Sequence, residues 1–202
     1  DVVSNYFISA RTSDDGYNQK APVDMHLLKS KTVAEYNLPI MNEWADEASN
    51  NGLWLIENLH LVGAENPSGY SFYISTKDFE SHVDYLESKD LWIASQGDVA
   101  KYIIERENSS ATITVPSNFF SIIAVDLTFD LDQSNFDEPL TLMVQLPMNW
   151  THVYATQKGE RIDTRVSNGV LYVDVPPNNG KILITKHRYI SNLLGLARFW
   201  KF

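Results

Sequence analysis

Residues 53–62, LWLIENLHLV, are a mostly apolar run bounded by Gly52 and Gly63, long enough for a strand and too short for most helices. Together with the segments on its carboxyl side, this run constrains the fold more than any other stretch. After a polar loop, Ser75 stands three residues before Asp78, the spacing of a helix cap, and Phe79, His82, Val83 and Leu86 recur at helical spacing. Leu91–Ser95 reads as a second short strand, and from Asp98 a second helix places Val99, Tyr102 and Ile103 on one face. Strand, loop, helix, strand, helix is the rhythm of a parallel α/β layer, in which chemistry collects at the carboxyl ends of strands. His60 lies near such an end.

The flanking segments extend the pattern. Val2–Ala10 (VVSNYFISA) is rich in β-branched and aromatic residues and predicts a buried strand running into Arg11. Thr12–Val23, with Gly16 and Pro22, reads as a loop, and Asp24–Val33 as a weaker extended segment. Pro39 can open a helix in which Ile40, Trp44 and Ala48 share a face, with Asn51-Gly52 ending it. In the strand 53–62, Trp54, Ile56, Asn58, His60 and Val62 share one face and Leu53, Leu55, Glu57, Leu59 and Leu61 the other, so Glu57 and His60 do not pair. His82 and Asp84 read as structural.

Beyond Ser109 the pattern changes. Alternating runs at Ala111–Val115, Phe119–Leu131, Leu140–Leu146, Thr151–Thr156, Val170–Val175 and Lys181–Thr185 are separated by turn clusters and predict an antiparallel β-sandwich. Asp126, Asp130 and Asp132 line one side of such a strand, as a solvated face in preference to a calcium site, which draws its oxygens from a bent loop. The last segment, Tyr189–Phe202, places Leu193, Leu196, Ala197 and Trp200 at helical spacing and reads as an amphipathic tail that docks on the protein's own surface or on a partner, in preference to lying on an anionic membrane. The domain reading is 1–108 for the α/β part, 109–186 for the sandwich and 187–202 for the tail.

Charge and composition exclude several functions. A net charge of −10 argues against nucleic-acid binding, which needs a basic surface. Zero cysteines exclude disulfides and thiolate metal sites. No apolar run reaches the roughly 18 residues of a membrane span. The five histidines, His26, His60, His82, His152 and His187, include no pair three or four apart, so the chain offers no metal-ligand motif of its own. The start at Asp1 suggests a processed, nicked or cropped product.

The stretch with Gly-Leu-Trp opening a strand that ends in histidine, the helix FESHVDYL, the strand LWIAS and then GDVAKYIIERE resembles the last third of a polysaccharide deacetylase catalytic domain. The resemblance continues into the β-rich region and covers most of the chain. It implies a partial (β/α) barrel followed by an appended β-sandwich, and removal of acetyl groups from sugars with a divalent metal, zinc first among candidates. His60 falls at the general acid's position. Arg11 falls where an arginine at the rim orients a carboxylate or a substrate oxygen; the plain alternative is an ion pair with Asp14 or Asp15. The Gly63–Tyr73 loop would supply Glu65, Tyr70, Phe72 and Tyr73 to the carbohydrate, or else plug the top of the fold.

The family's Thr-Phe-Asp-Asp and His-x-x-x-His motifs are absent. The chain therefore reads as the carboxyl-terminal part of such an enzyme without its metal-binding half, inactive alone, whose open barrel edge calls for cover by a second chain, either an amino-terminal segment or a symmetry mate. The family's polymeric substrates imply a secreted or periplasmic location. The alternative is a non-catalytic carbohydrate-binding or assembly module that keeps the fold without the site.

Overall fold

A computed structural model describes residues 2–33, 38–66, 69–115 and 121–186. The chain divides into two compact units, Asp1–Glu107 and Asn108–Phe202. In the first, β1 (Arg11–Asp15), β2 (Leu28–Thr32) and β3 (Glu57–Asn58) form a parallel sheet in the order β1-β2-β3. A second parallel pair joins β4 (Leu61–Gly63) to β5 (Tyr73–Ser75). Helix α1 (Leu38–Asn51) connects β2 to β3, while α2 (Thr76–Glu87) and α3 (Gln96–Asn108) come after β5. The unit is thus mixed α/β with parallel sheets, and no closed barrel is present among the described residues.

Local chemistry sets the helix ends. Ser75 Oγ accepts from the Asp78 amide at 3.0 Å and donates to its carboxylate at 2.8 Å, satisfying a free donor in the first turn of α2. Ser95 and Asp98 repeat the device at α3. At the other end of α1, Gly52 takes a φ of +60°, and the Leu53 and Gly52 amides return to the Ala48 and Ser49 carbonyls, a Schellman ending. The core around α1 joins Val33, Met41 and Ile74, with Trp44, Leu59 and Phe79 packed against them.

Several expectations are corrected here. Val2–Ala10 is not a buried strand: Val3–Asn5 is a single 3-10 turn, and Tyr6 and Phe7 are 77% and 64% exposed. β propensity measures fit to a half-buried pleated surface, and among the described residues this segment meets a neighbouring strand at its last residue, where Ala10 hydrogen-bonds Met25 and Leu28. Part of the supposed loop after it is instead β1, an edge strand whose polar side chains face solvent and which needs no apolar alternation. The run 53–62 is not one strand. Trp54 makes an isolated antiparallel bridge to Asn18, Glu57–Asn58 pairs with β2, and after a break Leu61–Gly63 pairs with β5. The period-2 faces fail with it, for Ile56 is buried while His60 and Val62 are exposed. Leu91–Ser95 forms no strand; Trp92 and Ile93 are more than half exposed, and Trp92 leans edge-on against Tyr102 of α3 at 5.0 Å. The buried stripe of α1 is Met41, Ala45 and Ala48, with Ile40 turned outward.

The second unit is antiparallel. One sheet has the order β10-β9-β13-β7-β6, the other β11-β12-β8, with β6 Ser109–Thr114, β7 Ile122–Phe129, β8 Leu140–Gln145, β9 Val153–Gln157, β10 Glu160–Ile162, β11 Arg165–Ser167, β12 Val170–Val175 and β13 Ile182–Lys186. Leu171, Val173 and Val175 of β12 and Ile182 and Ile184 of β13 are buried while alternate residues face outward. Lys158-Gly159 and Asn168-Gly169 turn two hairpins with positive φ at both positions, the conformation that matches strand twist. β10 and β11 are too short to register as periodic runs in the sequence. Asp126 lies within β7, but Asp132 lies beyond its end, where it accepts from the Ser134 amide and hydroxyl and from Asn135. Those hydrogen bonds, the Ser134 backbone first, hold its carboxyl below the usual range. The tail 187–202 and its amphipathic reading lie outside the described residues.

Candidate functional site

Two side-chain clusters stand out in the first unit. One joins residues from two strands and a loop. Arg11 opens β1, and its Nη2 donates to Asn58 Oδ1 at 3.1 Å while Nη1 donates to the Thr12 carbonyl at 3.2 Å. Asn58 closes β3, and its Nδ2 lies 3.4 Å from Nε2 of His60, two residues past the carboxyl end of that parallel strand. The His60 ring is 5.1 Å from the Phe72 ring, which is 5.9 Å from that of Tyr70. Both aromatic side chains are more than 40% exposed. Arg11, Asn58, His60, Phe72 and Tyr70 thus form one continuous row, exposed except at the half-buried Asn58.

The loop that carries the aromatics is closed by Asn66, whose Oδ1 accepts from the Tyr70 amide at 2.8 Å and whose Nδ2 donates to the Tyr70 carbonyl at 3.1 Å. Tyr73 is not in the row. It is buried in β5 and its hydroxyl donates to the Gly63 carbonyl at 2.9 Å, so it supports the loop from beneath. Glu65 is exposed on the same loop and stands outside the row. Asp15, a proposed ion-pair partner for Arg11, pairs instead with Lys31 at 2.7 Å. Asn58 was not singled out from the sequence, although its position two residues before His60 would have placed it beside the histidine on an even strand face.

The second cluster is buried. His82 of α2 is 1% exposed; its Nδ1 lies 2.8 Å from Asn42 Oδ1 of α1 and its Nε2 3.0 Å from Glu57 Oε2 of β3. With Asn42 as acceptor, Nδ1 carries a hydrogen, and one proton lies between Nε2 and the carboxylate. Glu57 Oε1 is buried with no hydrogen-bond partner. Beside this network is a cavity of about 540 Å³, lined largely by apolar side chains such as Trp54, Phe79, Val83 and Tyr102, with Glu57 and His82 among the polar ones.

The two clusters bear differently on a metal. His60 is the single imidazole of the exposed row, and its neighbours are an amide, a guanidinium and a phenyl ring, a set that repels a divalent cation as much as it binds one. No group of three histidine, aspartate or glutamate side chains is placed to hold a metal ion among the described residues. The residues present do not fit the zinc centre that the deacetylase resemblance implies.

The chain is similar to a gellan lyase. That protein, from Bacillus sp, is 23% identical over 213 aligned residues, which cover 91% of this chain. The chain spans only 8% of the length of the lyase. No protein-family model matches the chain, and no solved structure matches it. At 91% coverage the match extends into both units. Among the described residues no helix is long and apolar enough to cross a membrane.

Proposed function

We propose that this chain is a carbohydrate-contacting part of a larger polysaccharide-acting protein. The observation that carries the reading is the exposed row: two aromatic faces beside an imidazole, a carboxamide and a guanidinium, held on a parallel strand end and an adjoining loop. Aromatic faces take the apolar C–H face of a sugar ring, and a few convergent polar groups fix its orientation. The similarity to a protein named for lysis of gellan supports a polysaccharide as the ligand class. Secretion goes with such a ligand.

In this reading Tyr70 and Phe72 stack on the sugar, Arg11 and His60 hydrogen-bond its substituents, and Asn58 holds the latter two in place. Affinity electrophoresis of the chain through gels containing gellan or an acetylated polysaccharide tests it. Retardation is expected, and its loss is expected when Tyr70 and Phe72 are both replaced by alanine with the circular-dichroism spectrum unchanged. Passage of the native chain without retardation in every gel overturns the proposal.

A second reading is favoured by the place of His60 just beyond the carboxyl end of a parallel strand. There it would be the acid of a polysaccharide deacetylase, with the antiparallel sheets as the appended sandwich. The metal-holding wall would come from polypeptide outside this chain. Acetate release by a longer protein that includes this segment, lost in a His60→Ala variant, is the expected result; release unchanged by that substitution refutes it.

A further inference from the structure

We infer that the cavity beside the buried His82–Glu57 pair binds a hydrophobic anion, an aromatic body that carries one acidic group. The inference is independent of the carbohydrate reading and of the exposed row. All the residues that line the cavity belong to the first unit. Its volume of about 540 Å³ is that of a small-molecule site, mostly apolar with a few polar groups that fix orientation. Trp54, Phe79, Trp92 and Tyr102 supply aromatic walls, and Trp92 meets Tyr102 edge-on at 5.0 Å. Trp92 and Ile93 line the cavity and are more than half exposed, so it reaches the surface beside them. An apolar cavity of about 150 Å³ takes a single benzene ring, so this one has room for roughly two or three rings, which stack or meet edge-on with walls of this kind.

The charge of the lining selects the acidic group. Lys20, Arg106, Glu57 and His82 are its chargeable members apart from the Tyr102 phenol. Glu57 is matched by His82 at 3.0 Å. Arg106 is matched by Glu107, whose Oε1 accepts from Nε at 3.0 Å and from Nη2 at 2.8 Å. Arg106 Nη2 also donates to the Lys20 carbonyl at 2.7 Å, which fixes the Lys20 backbone beside the guanidinium. The Lys20 ammonium has no ion pair among the described residues. The lining therefore holds one uncompensated positive charge, in a chain whose net charge is −10. Beside apolar walls a charge acts more strongly than in open water. A neutral aromatic ligand leaves Lys20 unmatched and a cationic one is repelled, whereas an anionic one completes the site.

The test is fluorescence titration of the whole chain with 1-anilino-8-naphthalenesulfonate and, in parallel, with N-phenyl-1-naphthylamine, which has the same rings without the sulfonate. The native chain is expected to bind one equivalent of the anion, about tenfold more tightly than the neutral amine, as one charge-assisted pair allows. 2-Naphthoate, a carboxylate of similar shape, should displace it, and 2-naphthylmethanol should do so about tenfold less well. In a Lys20→Gln variant, whose substituted side chain is exposed, the two dyes should bind alike. An Ala94→Trp variant, changed at an exposed position of the lining outside any helix or strand, should weaken both dyes with the circular-dichroism spectrum unchanged. Equal affinity of the native chain for the two dyes overturns the anionic assignment, as does a preference that survives Lys20→Gln. Binding of neither dye, or binding of several equivalents that Ala94→Trp leaves unchanged, overturns the site itself.

Discussion

Replacing His82 by leucine removes the hydrogen-bond partner that a buried carboxylate has among the described residues. The Glu57 side chain is 15% exposed, its Oε1 already has no hydrogen-bond partner, and its Oε2 is satisfied by His82 Nε2 at 3.0 Å. An uncompensated buried carboxylate costs about 3–5 kcal/mol. The reverse substitution, Glu57→Met, strands only a neutral imidazole that keeps its bond to Asn42, and should cost about 1–3 kcal/mol. The double variant, which leaves only the Asn42 carboxamide without its His82 partner, should recover at least about 2 kcal/mol relative to the sum of the single changes, since an apolar pair of similar volume replaces a buried ion pair at little cost. The assay is urea unfolding followed by tryptophan fluorescence, to which the first unit contributes Trp44, Trp54 and Trp92. With an m-value of about 1.5 kcal/mol/M, a loss of about 3 kcal/mol lowers the midpoint by about 2 M. Single-variant costs that are equal, below about 1 kcal/mol and additive in the double variant would refute the network.

Two further outcomes concern the same unit. Asp46 has its carboxyl held below the ordinary value of 3.8 by the hydrogen bond from Lys89, then by that from the Tyr85 hydroxyl. A lowered folded value stabilises the fold above the unfolded value and is lost as pH falls through the folded one, so an Asp46→Asn variant should lose part of the native chain's stability difference between about pH 6 and about pH 3, read by thermal melts; an unchanged acid limb would count against the pairing. Ser75→Ala removes the acceptor for the Asp78 amide, and should cost about 1 kcal/mol by urea titration, with Ser75→Asp restoring most of it; an alanine variant as stable as the native chain would show the cap to be idle.

What the sequence made legible depended on range. The Ser75 cap three residues before Asp78 and the Gly52 stop after α1 are decided by atoms a few residues apart, and both stand where the sequence puts them. The exchange of parallel α/β for antiparallel order near residue 108 was also visible, because turn pairs such as Asn168-Gly169 impose positive φ wherever they occur. Strands were less legible, since a strand exists only with a partner. Val2–Ala10 and Leu91–Ser95 have the composition and no ladder, while β1 has a ladder and no apolar alternation. The run 53–62 misled for a related reason, because it changes partner midway from β2 to β5 and loses its register there. At the candidate site, Arg11, His60, Tyr70 and Phe72 were nameable, and the structure brings these four together. Asn58 was missed because its importance lies in a contact with Arg11 that spans 47 positions, and Glu57 and His82 because their contact spans 25.

Parallel neighbours ordinarily need a helix to carry the chain back to the start of the next strand. Between β4 and β5 the described residues of that return include Tyr70 and Phe72 with their exposed rings, while the cap formed by Ser75 and Asp78 immediately afterwards opens α2. The exposed rings and the start of the helix are therefore written in separate words of the sequence. If the proposed carbohydrate reading holds, descendants of such a chain could recompose this bridge and so change which polymer they grip, while the cap of the helix that begins next is left untouched.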